Sequence, residues 1–185
     1  MLHELQLLHN LYPSAAVGID LVFGLLVGSF LNVVIGRLPM MLSRQWAQEA
    51  HLILELDTAE KISEPLNLSR PRSRCPNCLT PIAPRDNIPV ISFLLLRGRC
   101  RHCSTGISVQ YPLIELTAGL ATVFLIQHFG LTMAGGFACL FTYALLALAM
   151  IDFKTTLLPD SITLSFLWIG MIANLNGAFT DLASA

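Results

Sequence analysis

Cys75-Pro76-Asn77-Cys78 and Cys100-Arg101-His102-Cys103 form two Cys-x-x-Cys turns with twenty-one residues between them. Two thiolates spaced this way can hold one edge of a metal tetrahedron, and a second pair completes the shell around zinc. The intervening loop exceeds the usual ribbon window, but lengthening a loop costs little closure entropy. Two disulfides, or four unrelated thiols, are the competing chemistry. A reducing compartment favours the metal. His102, inside the second turn, could also ligate, although four thiolates already fill the shell.

Carboxylates form the second chemical group. Asp152 closes a long apolar stretch, so it sits where hydrocarbon gives way to water. Its competing role is an interfacial acid that simply stops a helix. Asp160, in Asp160-Ser161-Ile162-Thr163, reads as a helix N-cap. Glu115 falls near the start of another apolar stretch, where an acid favours the helix dipole or binds a partner. Cys139 and His128 lie within or near apolar stretches and read as packing residues.

The elements that position these groups follow from composition. The chain has 185 residues, of which 54% are hydrophobic and only 12% charged, with a mean hydropathy of +0.65. That balance excludes an ordinary soluble domain. Ten of the eleven Lys and Arg residues fall between positions 37 and 101, and the eleventh is Lys154. The pattern is that of a membrane protein with one large basic loop, which the positive-inside bias places in the cytoplasm. The loop holds few aromatic residues and six acids, among them Glu55 and Asp86, so no nucleic-acid partner is expected.

Residues 1–14 carry no Lys or Arg and so lack the basic start of a secretory signal. Residues 15–36 are apolar apart from Asp20, Ser29 and Asn32 and are long enough, at about 33 Å as a helix, to cross a bilayer. Gly24 and Gly28 make a small-xxx-small pair that admits a close neighbour, within the chain or in a homodimer. Arg37 and Pro39 are expected to end this span. Residues 40–64 then read as an amphipathic helix, with Leu42, Trp46, Ile53 and Leu56 at helical spacing. Pro65 and Arg70-Pro71-Arg72 lead into the cysteine module. The run Asn87 to Leu94 fits a strand, a helix or a segment dipping toward the membrane. Further spans are expected over residues 112–129, 132–151 and 161–180. No internal repeat is expected.

The fold class is therefore an all-α polytopic membrane protein of about four transmembrane helices, with a cytoplasmic zinc-ribbon-like four-cysteine loop between the first and second. Its divisions are residues 1–39 (tail and first span), 40–111 (loop) and 112–185 (three spans). Asp152, Glu115, Arg37 and the cysteines then share one face of the membrane.

These pieces together resemble the type IV prepilin peptidases. The resemblance rests on Gly28-Ser29-Phe30-Leu31-Asn32-Val33-Val34 with Arg37-Leu38-Pro39, on both cysteine pairs, and on Tyr111-Pro112-Leu113-Ile114-Glu115. It rests also on Ile151-Asp152 followed by Leu157-Leu158-Pro159-Asp160. It implies a membrane aspartic protease of the bacterial inner membrane that removes the leader from prepilins or pseudopilins of type IV pili and type II secretion. It implies N-methylation of the new terminus with S-adenosylmethionine. It matches Asp152 to the first catalytic aspartate and makes Cys75, Cys78, Cys100 and Cys103 a structural zinc site. The family's second aspartate sits in a Gly-x-Gly-Asp motif, and that motif does not occur in these residues. The expectation is the amino-terminal part of a longer enzyme or a truncated relative, inactive alone. A catalytically inactive zinc-binding scaffold is the alternative, and a transporter fragment is a third, disfavoured by the cysteine loop.

Overall fold

The computed structural model describes residue 9, residues 11–54 and 66–175, and residues 177 and 179. Its frame is helical. α1 spans Pro13–Ile53, α2 is a short helix at Ile91–Leu95, α3 spans Gln110–Phe129, α4 spans Met133–Thr155 and α5 spans Asp160–Leu175. α1, α3 and α4 are each long and apolar enough to cross a membrane. Among the described residues α5 has 16 residues, about 24 Å of helix, which is shorter than a hydrocarbon core of about 30 Å. The fourth span expected over residues 161–180 thus appears as a shorter apolar helix, and its end lies outside the described residues.

The helix boundaries have local causes. Pro13 stands in the first turn of α1, where its missing N–H is no loss. Gly130 ends α3 at φ 71°, a left-handed position open to glycine, and its N–H returns to the Ile126 carbonyl. Thr132 caps α4 by accepting from the Gly135 N–H. So short a connection makes α3 and α4 antiparallel neighbours, which brings the end of α4 to the same end of the bundle as the start of α3.

One expected boundary is absent. α1 does not stop at Arg37 and Pro39 but continues as a single helix to Ile53. Pro39 cannot donate to the Ile35 carbonyl, yet a proline bends a helix more often than it ends one. The residues that follow, Met40-Met41-Leu42-Ser43-Arg44-Gln45, are mostly strong helix formers. Gln45 adds a bond to Glu49 one turn on, at 2.9 Å. The helix expected over residues 40–64 is thus a continuation of the first, and Leu56 lies outside the described residues. The division between residues 39 and 40 falls inside this helix.

α1 and α3 cross closely because small residues face each other. A Cβ placed on Gly28 would meet the Glu115 Cα at 2.7 Å, and one on Gly24 would meet the Gly119 Cα at 2.7 Å. The small-xxx-small pair therefore serves a contact within the chain. Leu31, Ile35, Ile114, Ala118, Ile126, Cys139, Tyr143, Ala147 and Ile151 form the buried core between α1, α3 and α4. Inside it the Thr122 hydroxyl donates to the Ala118 carbonyl, so the Tyr143 hydroxyl must supply the proton of their shared hydrogen bond. Val22, Phe23, Leu26, Leu120, Phe124 and Leu145 point outward and are more than half exposed, the surface expected against lipid.

Replacing Gly28 by leucine is expected to part α1 from α3, because the obstruction is backbone that cannot rotate away. The cost should reach about 3 kcal/mol or more, the upper range for overpacking. A thermal melt in detergent reads it, and an unchanged midpoint would show that the two helices do not touch there.

Candidate functional site

Residues 66–109 fold between α1 and α3 into a module built from two matching turns. In the first, the Cys75 N–H donates to the Thr80 carbonyl and the Leu79 N–H to the Cys75 carbonyl, both at 3.0 Å. In the second, the Cys100 N–H donates to Thr105 at 2.8 Å and the Ser104 N–H to Cys100 at 3.0 Å. Leu79 and Ser104 hold φ 56° and 57°, left-handed positions unusual for residues other than glycine. Antiparallel bridges Arg74–Pro81 and Arg99–Gly106 close the two loops.

This symmetry has a sequence counterpart. Arg-Cys-x-x-Cys-x-Thr-x-Ile occurs at residues 74–82 and again at 99–107. The expectation of no internal repeat is corrected here: a nine-residue unit recurs, too short to register as a domain-scale period. The signal that could have found it is the shared Thr and Ile beyond each cysteine pair.

The four sulfurs of Cys75, Cys78, Cys100 and Cys103 lie within 4.8 Å of one another. Cys75 Sγ and Cys103 Sγ are 3.7 Å apart, and Cys78 Sγ and Cys100 Sγ are 4.0 Å apart. A tetrahedral thiolate site with metal–sulfur bonds of about 2.3 Å has sulfur–sulfur edges of about 3.8 Å. The group could therefore hold one metal ion with little rearrangement. None of the four is in a disulfide, and His102 stays exposed at the rim.

The repeated threonines tune the sulfurs. Thr105, through its hydroxyl and its backbone N–H, draws the Cys103 thiol down to about 5. Thr80 lowers Cys78 by the same two contacts. Thr105 Oγ1 lies 3.3 Å from Cys103 Sγ and accepts from Asn77 Nδ2 at 2.8 Å. Asn77 belongs to the first turn and Thr105 to the second, so this chain of bonds joins the two halves. Replacing Thr105 by valine removes it and should weaken metal affinity about 10- to 100-fold, the usual range for such support. A competition titration with a chromogenic chelator measures it, and unchanged affinity would assign the threonine no part in metal retention.

Three helix side chains make four long-range bonds, those of Arg37 and Glu115 to the module and that of Asn32 from α1 to the first turn of α3. Arg37 donates to the carbonyls of Asn67 and Leu68, at 2.9 and 3.3 Å. Asn32 Nδ2 donates to the Tyr111 carbonyl at 3.0 Å. Glu115 accepts from the Val90 N–H at 2.8 Å, with Val90 held at φ 59°. The run Asn87 to Leu94, open between strand, helix and a segment dipping toward the membrane, carries most of the short helix Ile91–Leu95 and follows a 3₁₀ turn at Pro84–Asn87. Asp86 in that turn takes a two-pronged ion pair from Arg101. Hydrogen bonds from that guanidinium hold the Asp86 carboxyl below the usual carboxylate range.

Asp152 lies in the last turn of α4, immediately after the fully buried Ile151, and is itself exposed. Its carbonyl accepts from the Thr156 N–H at 2.8 Å, where Thr156 turns the chain at φ 53°. Asp160 begins α5 and is exposed. The preceding Pro159 carbonyl receives the first helical bonds, so Asp160 stands one position inside the expected cap. Cys139 is buried in the core, and His128 stacks against Phe124.

Sequence comparison with known proteins gives a consistent result. Residues 22–129 match the family model described as the bacterial peptidase A24 N-terminal domain, and residues 139–185 match that of the type IV leader peptidase family. A protein of Stutzerimonas stutzeri named prepilin leader peptidase/N-methyltransferase is 49% identical over 94% of this chain and 60% of its own length. Proteins of the same name from Pseudomonas aeruginosa and Neisseria gonorrhoeae are 44% and 46% identical. Those alignments cover 94% and 92% of this chain and 60% and 59% of the relatives. The chain thus spans about 60% of the length of the curated relatives it matches. No solved structure matches it.

Proposed function

Because the chain belongs to the bacterial A24 peptidases, we propose that it forms part of a membrane aspartic endopeptidase that removes the leader from prepilins or pseudopilins and N-methylates the exposed terminus. The observation that supports this most directly is positional. Asp152 ends a helix able to cross the membrane, at the end of the bundle where the cysteine module is attached.

Asp152 is assigned as one of two catalytic carboxylates, with the second supplied by a Gly-x-Gly-Asp segment. Such a pair shares a proton. One carboxylate takes a proton from water while the other, protonated, polarises the scissile carbonyl. A lone aspartate cannot hold both states at once. In this reading the enzyme lies in the bacterial inner membrane, with the basic module and Asp152 facing the cytoplasm, as the concentration of arginine in that module supports.

The metal of the four-thiolate group is assigned as zinc. A complete sulfur shell leaves no position for water, so the ion would fix the shape of the module and take no part in cleavage. The donor set and its spacing fit that ion. S-adenosylmethionine is the methyl donor this function requires.

The test is leader removal from a purified prepilin in detergent. A polypeptide that continues through a Gly-x-Gly-Asp motif is expected to cut, and residues 1–185 alone are expected not to. Cutting by these residues alone, lost in D152N, would overturn the two-aspartate assignment.

A further inference from the structure

Two buried polar side chains line one cavity, one with an unpartnered acceptor and the other with no cation beside its carboxylate among the described residues. The cavity, of about 610 Å³, lies between α1, the cysteine module and the first turn of α3. Its size falls within the range of pockets that enclose small organic ligands. Asn32 is 7% exposed and spends its Nδ2 on the carbonyls of Gly28 and Tyr111, which leaves its buried Oδ1 with no hydrogen-bond partner among the described residues. Glu115 is also 7% exposed, with the Val90 N–H and the Ser29 hydroxyl beside it. Among the described residues no Lys, Arg or His forms an ion pair with it.

An orphaned amide oxygen and a carboxylate without a counter-ion, on two residues that line one cavity, suit a ligand that carries positive charge. Water would satisfy the amide and a proton would neutralise the acid, whereas a bound cation would meet both groups at once. The same cavity is lined by Arg37, whose five N–H groups exceed the two carbonyls it already serves, and by the aromatic residues Phe93 and Tyr111. A cationic centre, a carboxylate and a flat heteroaromatic base on one ligand would use all three kinds of wall. Resting on the methyltransferase function above, we propose that this cavity is the binding site for S-adenosylmethionine, with Glu115 and Asn32 facing its positive charges. Arg37 supplies a cation for its carboxylate, and Phe93 and Tyr111 supply aromatic surface for its base.

Equilibrium dialysis of the purified protein in detergent tests this with two ligands, S-adenosylmethionine and S-adenosylhomocysteine, which lacks the sulfonium charge. The unaltered protein should bind the sulfonium ligand at least about tenfold more tightly. Glu115→Gln keeps an acceptor for the Val90 N–H, and should weaken the sulfonium ligand about 10- to 100-fold while moving the thioether about threefold or less. Metal content and melting temperature of the variant report that it has folded. Equal affinity for the two ligands in the unaltered protein, or an unchanged preference in E115Q, would overturn the proposal.

A second measurement does not depend on any variant. Photolabelling with an azido-adenosyl analogue should mark residues 29–40 or 86–115, and label confined to α4 and α5 would overturn the assignment. Leader cleavage is read separately. In a polypeptide that continues through the Gly-x-Gly-Asp motif, failure to bind the donor with cleavage intact rejects this cavity alone, whereas donor binding without cleavage rejects the peptidase assignment alone.

Discussion

D152N, in a polypeptide that also carries the Gly-x-Gly-Asp motif, is expected to lower the rate of leader cleavage by about 10⁴-fold or more. Removing one member of a cooperating acid–base pair abolishes proton transfer in both directions, and losses of this size follow when catalytic groups act as a unit. Asparagine preserves the size of the side chain but can neither accept the proton nor carry the charge. The same substitution should leave the fold almost untouched. The Asp152 carboxylate is exposed, and the bond that ends the helix comes from its backbone carbonyl to the Thr156 N–H. The expected signature is thus an inactive protein with an unchanged melting temperature and unchanged metal content. An equal loss of activity and stability would instead make Asp152 a structural cap.

The second large effect concerns the four thiolates. Purified protein should carry about one zinc per chain, and C75S should reduce that nearly to zero. Structural zinc in small modules contributes on the order of 10 kcal/mol to folding, so the segment between α1 and α3 should become accessible to protease. The helices should persist, because the buried core draws on α1, α3 and α4 and on none of the four metal-site cysteines. Absence of metal, with Cys75 and Cys78 joined as a disulfide in freshly prepared protein, would reject the site.

Much of this was visible in the sequence because it is local. The two cysteine pairs announce a cluster that could hold a metal through spacing alone, and the apolar stretches announce their helices through length. The resemblance to prepilin peptidases rests on short motifs that the family comparison matches across most of the chain. What stayed hidden depends on contacts between distant residues. Nothing near Glu115 predicts that its carboxylate reaches back to Val90, or that Asn32 reaches forward to Tyr111. Pro39 misled for a different reason: a proline weakens one helical bond, and the strong helix formers after it decide whether the helix survives. The repeat around the cysteines is legible only in the paired threonines and isoleucines, because nine residues are too few to give a domain-scale period. Gly24 and Gly28 allowed a contact within or between chains, and the Cα of Glu115 settles it within one.

A cytoplasmic peptidase site and a reduced four-thiolate centre both require the module and the end of α4 to lie on the inner side of the membrane. Single cysteines at the exposed positions Arg72 and Lys154 can be probed with a membrane-impermeant maleimide, against the parent protein as background. Both should react in inside-out vesicles and stay unlabelled in intact spheroplasts. Labelling of either one from the outer face would contradict the peptidase assignment and the zinc assignment together.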